Sequence, residues 1–294
     1  SLVGSEMCIR DRTYSPSGQR VIRFTLTDAT QWLQPDSCLL KFTMKNETGS
    51  DIVLAAPAYS MIQTMRIFCS GTPCESLEMY NKMSAMISKF YPDAPLEDLL
   101  MGDGGASAGT LAAGASREMG IPLGTGPSGF FGSQLLWPLR YSSVVLEITL
   151  TSAATDVLGT GTAFTIENPV LVCQLCTLDE DTENSVHSHI NSGKTLPFHI
   201  KTLFSTSSAI TATGAVNINV SRSISRLAAA RLCFTESGDK ATYFPNPGAS
   251  LEVSCRVGST NYPDRPLTSV PMMLYTTLSG LGLLKPQNQL HRPE

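Results

Sequence analysis

This chain spells one motif twice, and that repeat constrains its fold more than any other feature. Residues 63–91 run Gln63-Thr-Met-Arg-Ile-Phe-Cys69-Ser-Gly-Thr72 and then Leu77-Glu-Met-Tyr80-Asn-Lys-Met83-Ser-Ala-Met86-Ile87, which reads as a strand, a Ser-Gly turn and a short helix. Residues 250–284 repeat it, from Ser250-Leu-Glu-Val253-Ser-Cys255-Arg-Val-Gly258-Ser to Pro271-Met-Met-Leu-Tyr275-Thr-Thr-Leu278. Tyr80 and Met83 align with Tyr275 and Leu278, both at an offset of 195 residues. One such unit in each of two successive β-rich segments implies two copies of one β-domain, since two copies are too few for a solenoid.

The segments around the repeat carry strand chemistry. Phe24 and Leu26 alternate with Arg23, Thr25 and Thr27, and Leu40, Phe42 and Met44 alternate with Lys41, Thr43 and Lys45. That period of two marks half-buried strands. A turn is expected at Gln34-Pro35-Asp36-Ser37, and a third strand over Met61–Ser70. Met79, Met83, Met86, Ile87 and Phe90 fall at helical steps on one face, ending at Tyr91-Pro92. Residues 101–132, dense in glycine, read as a long loop. Strands follow at Gln134–Leu139, Ser142–Thr151 and Ala163–Leu178. The acidic stretch Asp179–Asn184 reads as a solvated bridge and places a domain boundary. Beyond it, strands are expected at Leu196–Ser205, Ala215–Val220, Ser225–Phe234 and Leu251–Val257. A second helix starts at Ser269 with Pro271 behind it. The domains are therefore 1–12 as a leader, 13–178 as a first sandwich, 179–195 as a linker and 196–294 as the opening part of a second. Residues 1–12 resemble the translated adapter sequence found at the edges of metagenomic reading frames, and they are left out of the fold.

Composition removes several function classes. Charged residues are only 16% of the chain, against about 25% in a typical soluble domain. The 21 basic and 25 acidic residues are dispersed, without the basic stripe of a nucleic-acid groove. No apolar run reaches the ~18 residues of a bilayer span, and no secretory signal opens the chain. Most of the eight cysteines lie in apolar, strand-like runs and are read as reduced, buried thiols.

Catalytic patterns fail one by one. Gly193-Lys194-Thr195 resembles the tail of a phosphate loop but has Ser188 where the motif needs glycine, and runs toward a strand. Gly124-x-Gly126-x-x-Gly129 matches a dinucleotide fingerprint by letter, yet follows a loop and contains Pro127. Cys173 and Cys176, three apart in a strand, point to opposite faces and have no second pair at zinc-site spacing. His187 and His189 share a face only as a strand, and two ligands do not close a metal site. The acidic run lacks the spaced oxygens of a calcium loop. Asn46-Glu47-Thr48 and Asn219-Val220-Ser221 match glycosylation sequons. With four histidines and no nucleophile elbow, no enzyme is expected, and no catalytic, metal or cofactor residue is assigned.

The order of these pieces resembles the double jelly-roll major capsid proteins of Polinton-like and virophage-like eukaryotic DNA viruses. The residues that carry the resemblance are the strand–turn–helix with its tyrosine, Leu135-Leu136-Trp137-Pro138-Leu139 before Val144–Leu150, and Phe164–Val172 as a closing strand. Ser192–His199 looks like the lead into a second roll, and Tyr262–Leu267 like its Pro-rich turn. The resemblance spans Arg20 to Leu284 and implies an all-β double jelly roll with a short helix in each roll, the second roll incomplete. It implies a structural protein of the virion shell, assembled in the host cell. Its hexon-like homotrimers of pseudo-hexagonal outline would tile an icosahedral capsid beside neighbouring capsomers and penton or minor capsid proteins. It transfers no interface residue. The alternative is a carbohydrate-binding or adhesin-like β-sandwich, which would cluster exposed aromatics; the two tryptophans, Trp32 and Trp137, sit in different strand contexts.

Overall fold

Alternation at Val21–Leu26 becomes a strand with every second side chain buried, and the same logic builds most of the first half of the molecule. In the computed structural model the described residues are 2–8, 12–90, 109–210, 214–224, 226–236, 243–245 and 251–280. The strands in chain order are β1 (Leu2–Cys8), β2 (Thr13–Tyr14), β3 (Val21–Leu26), β4 (Trp32–Lys45), β5 (Ile52–Leu54), β6 (Ile62–Cys69) and β7 (Thr72–Leu77). Helix α1 (Tyr80–Phe90) follows, then β8 (Thr110–Leu111), β9 (Ser116–Pro122), β10 (Trp137–Pro138), β11 (Val144–Leu150), β12 (Leu158–Thr160) and β13 (Thr165–Cys176). The chain continues with α2 (Glu180–Asn191), β14 (Val253–Val257), β15 (Thr260–Leu267) and α3 (Val270–Gly280). It divides into two compact units: residues 1–220 with 237–243, and residues 221–236 with 244–294.

The first unit holds two antiparallel sheets. One has the order β1-β13-β4-β10, with β2 also on β13 and β9 also on β4; the other has the order β3-β11-β6-β7. A small sheet, β12-β5-β8, accompanies them. Each main sheet buries one face. Ile22, Phe24, Met65, Ile67, Leu146 and Ile148 come from the second, and Leu40, Phe42, Met44, Ile166 and Leu171 from the first. Each such side chain contributes about 1.5–3 kcal/mol by leaving water. This is an all-β sandwich, as the alternation predicts.

Several local expectations are corrected. The turn at Gln34–Ser37 is a bulge inside the long strand β4: register with β13 jumps from Gln34 opposite Gln174 to Leu39 opposite Val172. Pro35 has no N–H to offer the ladder. The Ser37 hydroxyl takes over, accepting from the Gln174 N–H at 2.9 Å and donating to the Gln34 carbonyl at 2.6 Å. The Ser-Gly turn does not lead straight into a helix. Ser70 (φ 47°) and Gly71 (φ 81°) form the two-residue connection of a hairpin that returns through β7 before α1 begins. Of the 101–132 stretch, 101–108 lies outside the described residues, while 110–122 supplies β8 and β9. There β9 pairs with β4 from Ser116 opposite Lys45 to Pro122 opposite Leu39. The Gln134–Leu139 strand shrinks to the two residues of β10. On α1 the buried positions are Tyr80, Asn81, Met83, Ser84 and Ala85; of the expected stripe Met83 is buried, whereas Met79, Met86 and Ile87 are half-buried. The helix end expected at Tyr91-Pro92 lies outside the described residues.

The polar bridge at 179–195 contains a helix. Asp179 is its N-cap, accepting from the Thr182 N–H at 3.1 Å, and Glu180, Asp181 and Glu183 occupy the first turn, where carboxylates complement the helix dipole. The Thr182 hydroxyl and N–H hold the Asp179 carboxyl below its usual range. Residues 2–8, set aside as leader, pair along β13 as β1, from Leu2 opposite Cys176 to Cys8 opposite Val170. Because β2 covers only Ile166 and Glu167 of that edge, the backbone groups of residues 170–176 need another partner.

In the later segments, no strand occurs among the described residues of 196–236, although alternating runs were expected there. Alternation marks a face but cannot supply a neighbour, and a lone strand leaves its backbone groups unpaired. Val216, Ile218 and Val220 are exposed. The second unit contains the hairpin β14–β15 and then α3, which Ser269 caps by accepting from the Met272 N–H at 3.4 Å. The repeat is therefore strand–turn–strand–helix. Its structural register is an offset of 188 residues from Thr72 to Thr260 and 190 from Tyr80 to Val270, not 195. Tyr80 opens its helix, whereas Tyr275 lies in the middle of α3.

Candidate functional site

Fold geometry scatters the residues that suggested chemistry. Cys173 is buried and Cys176 only half-buried, and they do not converge; Cys173 instead meets Cys38 on the neighbouring strand β4. That thiol neighbour and burial together push the Cys38 thiol up. Cys69 is also buried, but Cys74, Cys233 and Cys255 are exposed, so the buried-thiol expectation holds for only part of the set. Gly193 follows the C-terminus of α2, with its N–H on the Ile190 carbonyl at 2.9 Å, the wrong helix end for a phosphate. His187 and His189 lie on α2. The His187 ring stacks on Tyr141 at 6.5 Å, with Nδ1 3.2 Å from its hydroxyl. Among the described residues no three His, Cys, Asp or Glu side chains come together as a metal site.

Two parts of the molecule are built with care. The first is a buried clasp around Glu75. This residue lies on β7 with the same parity as Leu77, so its side chain enters the core, where it is 3% exposed. Its carboxylate accepts from the Ser128 hydroxyl at 2.6 Å, the Gly129 N–H at 2.9 Å and the Phe130 N–H at 3.3 Å. An ionic acceptor with three donors offsets its own desolvation. Tyr80, 1% exposed, stands beside it; burial pushes its phenol up and the Glu75 charge adds to that. The glycine motif gains its meaning here. A Cβ on Gly124 would meet the Asp36 carbonyl at 2.5 Å, one on Gly126 the Tyr80 hydroxyl at 2.6 Å, and one on Gly129 would collide with the Lys201 carbonyl. The spacing that mimics a nucleotide fingerprint serves backbone packing. Phe130, Phe131, Trp137 and Phe198 continue the clasp as an edge-to-face aromatic cluster, with Trp137 and Phe198 at 4.7 Å.

The second is the seat of α2 on the end of the sandwich. Trp32 donates its indole N–H to Glu183 at 3.0 Å, Arg140 pairs with Glu183 at 3.5 Å, and Arg140 lies over the Tyr141 ring. Beside Arg140 and Tyr141 opens a shallow cleft of about 470 Å³ lined by Thr27, Asp28, Ala29, Ser70 and Leu139–Ser143. The Asp28 carboxylate there is occupied by the Thr30 and Gln31 N–H groups at 2.8 Å. The Glu75 carboxylate is thus sealed in the core with three donors, and the Asp28 carboxylate beside the cleft is held by backbone N–H groups. Of the two sequons, that of Asn46 is closed: its amide donates to the Ser50, Leu111 and Ala112 carbonyls at 2.9–3.0 Å. Asn219 is exposed.

No protein-family model matches the sequence, and no curated protein matches it. Solved structures similar in arrangement are double jelly-roll major capsid proteins. PBCV-1 VP54, in a crystal structure fitted into a cryo-EM reconstruction of the virophage Sputnik, is 15% identical over 63% of this chain and 45% of its own, with a TM-score of 0.42. The Sputnik virophage structure is 8% identical over 61% of this chain and 48% of its own, at 0.37. The STIV major capsid protein is 11% identical over 58% and 48%, at 0.31. The chain spans just under half the length of each.

Proposed function

We propose that this chain is a structural protein of a virion shell, part of a double jelly-roll major capsid protein of a DNA virus, without enzymatic activity. The observation that carries the reading is the repeat: the same strand–turn–strand–helix unit occurs in two successive compact units, and in the first it sits inside an antiparallel sandwich. Two rolls per chain and three chains per capsomer supply six similar rolls around a centre. That outline approximates a hexagon and tiles a shell without gaps. The expected partners are two further copies in a homotrimer, then neighbouring capsomers and penton or minor capsid proteins, with assembly in the host cell. Low charge and internally satisfied polar clusters support a surface made to be covered by copies of itself.

Two measurements test this. Sequencing the source DNA past the codon for Glu294 should show the frame continuing for on the order of 100–200 residues, with four or five more alternating strands. The product of that full frame should sediment as a trimer and show a pseudo-hexagonal outline by negative-stain microscopy. A full-frame product that stays monomeric and binds glycans would replace this reading with the carbohydrate-binding sandwich.

A further inference from the structure

Residues 196–205 belong to no strand or helix, yet they are fixed to the first sandwich at three points. The Phe198 ring stands edge-on to Trp137 at 4.7 Å and lies 6.0 Å from Phe130. The Lys201 carbonyl lies against Gly129, where no Cβ fits. The Ser205 hydroxyl donates to the Glu78 carbonyl at 2.6 Å. Phe198, Ile200, Leu203 and Ser205 are half-buried, and the residues between them are exposed. An extended segment that turns one side to a surface without joining a sheet lies there as a bound peptide lies in a groove. The clasp builds that groove: Glu75 fixes Ser128, Gly129 and Phe130, the residues on which the Phe198 ring and the Lys201 carbonyl rest. Upstream, Gly193 is left-handed at φ 79°, and its Cβ position has nothing within 4 Å. The backbone can pivot there, between α2 and the strap, without displacing a side chain.

We propose that the groove along Gly129, Phe130 and Trp137 is a docking site for the 196–205 strap of a second copy of this chain, so that copies exchange straps. A second copy presents the same Phe198 ring, Lys201 carbonyl and Ser205 hydroxyl. Exchange therefore replaces each contact by its equal and needs no new surface. The strap of the same chain holds one advantage, a tethered effective concentration on the order of millimolar, so exchange rises with protein concentration. Glu75 acts in this as a positioning residue, holding the loop that receives the strap.

The probe is a fluorescein-labelled synthetic peptide of residues 194–207, standing for a second copy's strap, titrated with the full chain and followed by anisotropy. The double variant Phe198→Ala/Ser205→Ala removes two anchors of the tethered strap and leaves the groove intact. It should bind the peptide at least about tenfold more tightly than wild type, whose own strap competes. Gly129→Ala closes the groove, since the three nearest atoms its Cβ would meet all belong to Lys201, and it should not bind. A peptide carrying Phe198→Ala should bind none of the three. Gly129→Ala chains have free straps and double-variant chains have open grooves. Mixed, they should give joint complexes in native mass spectrometry beyond the self-association of either parent. No binding by the double variant, equal binding by all three chains, or joint complexes no more abundant than the parents' own overturns the proposal. The unsubstituted chain keeps the test decisive should a variant fail to fold. With benzoylphenylalanine in place of Phe198, the peptide should photocrosslink to the tryptic fragment of residues 118–140; crosslinking only elsewhere overturns the proposal. None of these readouts depends on the shell reading, because association common to both parents is subtracted.

Discussion

The two hairpin–helix units share a local plan and differ in what surrounds them. In the first, β6–β7–α1, the hairpin belongs to a four-stranded sheet and places Leu77, Tyr80, Met83 and Ala85 in the core. In the second, β14–β15–α3, the hairpin is a sheet of two strands, and no described residue of β14, β15 or α3 is buried. Both turn through two residues with a left-handed glycine, Gly71 at φ 81° and Gly258 at φ 62°. Turn chemistry and helix capping are local and reproduce the unit wherever they occur. Burial needs neighbours, and among the described residues only the first copy has them within its own unit.

Paired substitutions break this comparison at its widest point. Tyr80→Ala should cost about 3–5 kcal/mol, as for other large core truncations. Tyr275→Ala, at a residue 64% exposed, should stay within about 0.5 kcal/mol. Urea unfolding midpoints read both, and equal losses would mean that the second copy is packed as well as the first. Next in size is Glu75→Ala, which strands the Ser128, Gly129 and Phe130 donors and should cost about 1–3 kcal/mol. Pro263 holds the corresponding place in the second hairpin, so the clasp has no counterpart there. Glu75→Ala should therefore lower the first unit's midpoint and leave α3 helicity unchanged.

Acid–base behaviour sharpens the same contrast. The Tyr80 phenol is raised in the folded chain, so its contribution is intact below the ordinary phenol pKa of about 10. Above that pH the unfolded chain ionises first and releases a proton that the folded chain keeps, so stability falls as pH climbs toward the folded value. A chemical-denaturation series at rising pH should show this decline, and Tyr80→Phe should remove the part due to this residue. The smallest expected change is at the second helix: Ser269→Ala, removing the cap on the Met272 N–H, should cost about 0.5–1 kcal/mol and lower α3 helicity by circular dichroism.

How much was legible follows the physics of each element. Strands β3, β4, β11 and β13 were visible because one face of each is buried and the other wet, so alternation records burial directly. The start of α3 was visible because Ser269 and Pro271 act within one turn. Strands β8 and β9 were hidden in glycine-rich sequence, since Met119 and Ile121 gain their β role only by pairing with β4. The α2 helix was hidden by its polarity: it has no buried face, and capping with edge contacts holds it. Glu75 left one usable trace, an acid in phase with Leu77 on a strand. Phe198 left none, because its partners Trp137 and Phe130 lie some 60–70 positions away in the sequence. The glycine motif at 124–129 was visible as letters, but the close approaches that require it involve Asp36, Tyr80 and Lys201, which no local window contains.

Sequence alone therefore determined the all-β class, the repeated unit with its Ser-Gly turn, and the helix start at Ser269, since each rests on interactions spanning a few residues or on a period set by burial. Tertiary structure decided the register of the repeat, the bulge beside Cys38 and Cys173, the pairing of β9 and β1, and the conversion of a lone glutamate into a clasp. Those outcomes depend on which distant backbone groups and side chains become neighbours, and hydrogen bonds and close packing select them only once the sheets are assembled.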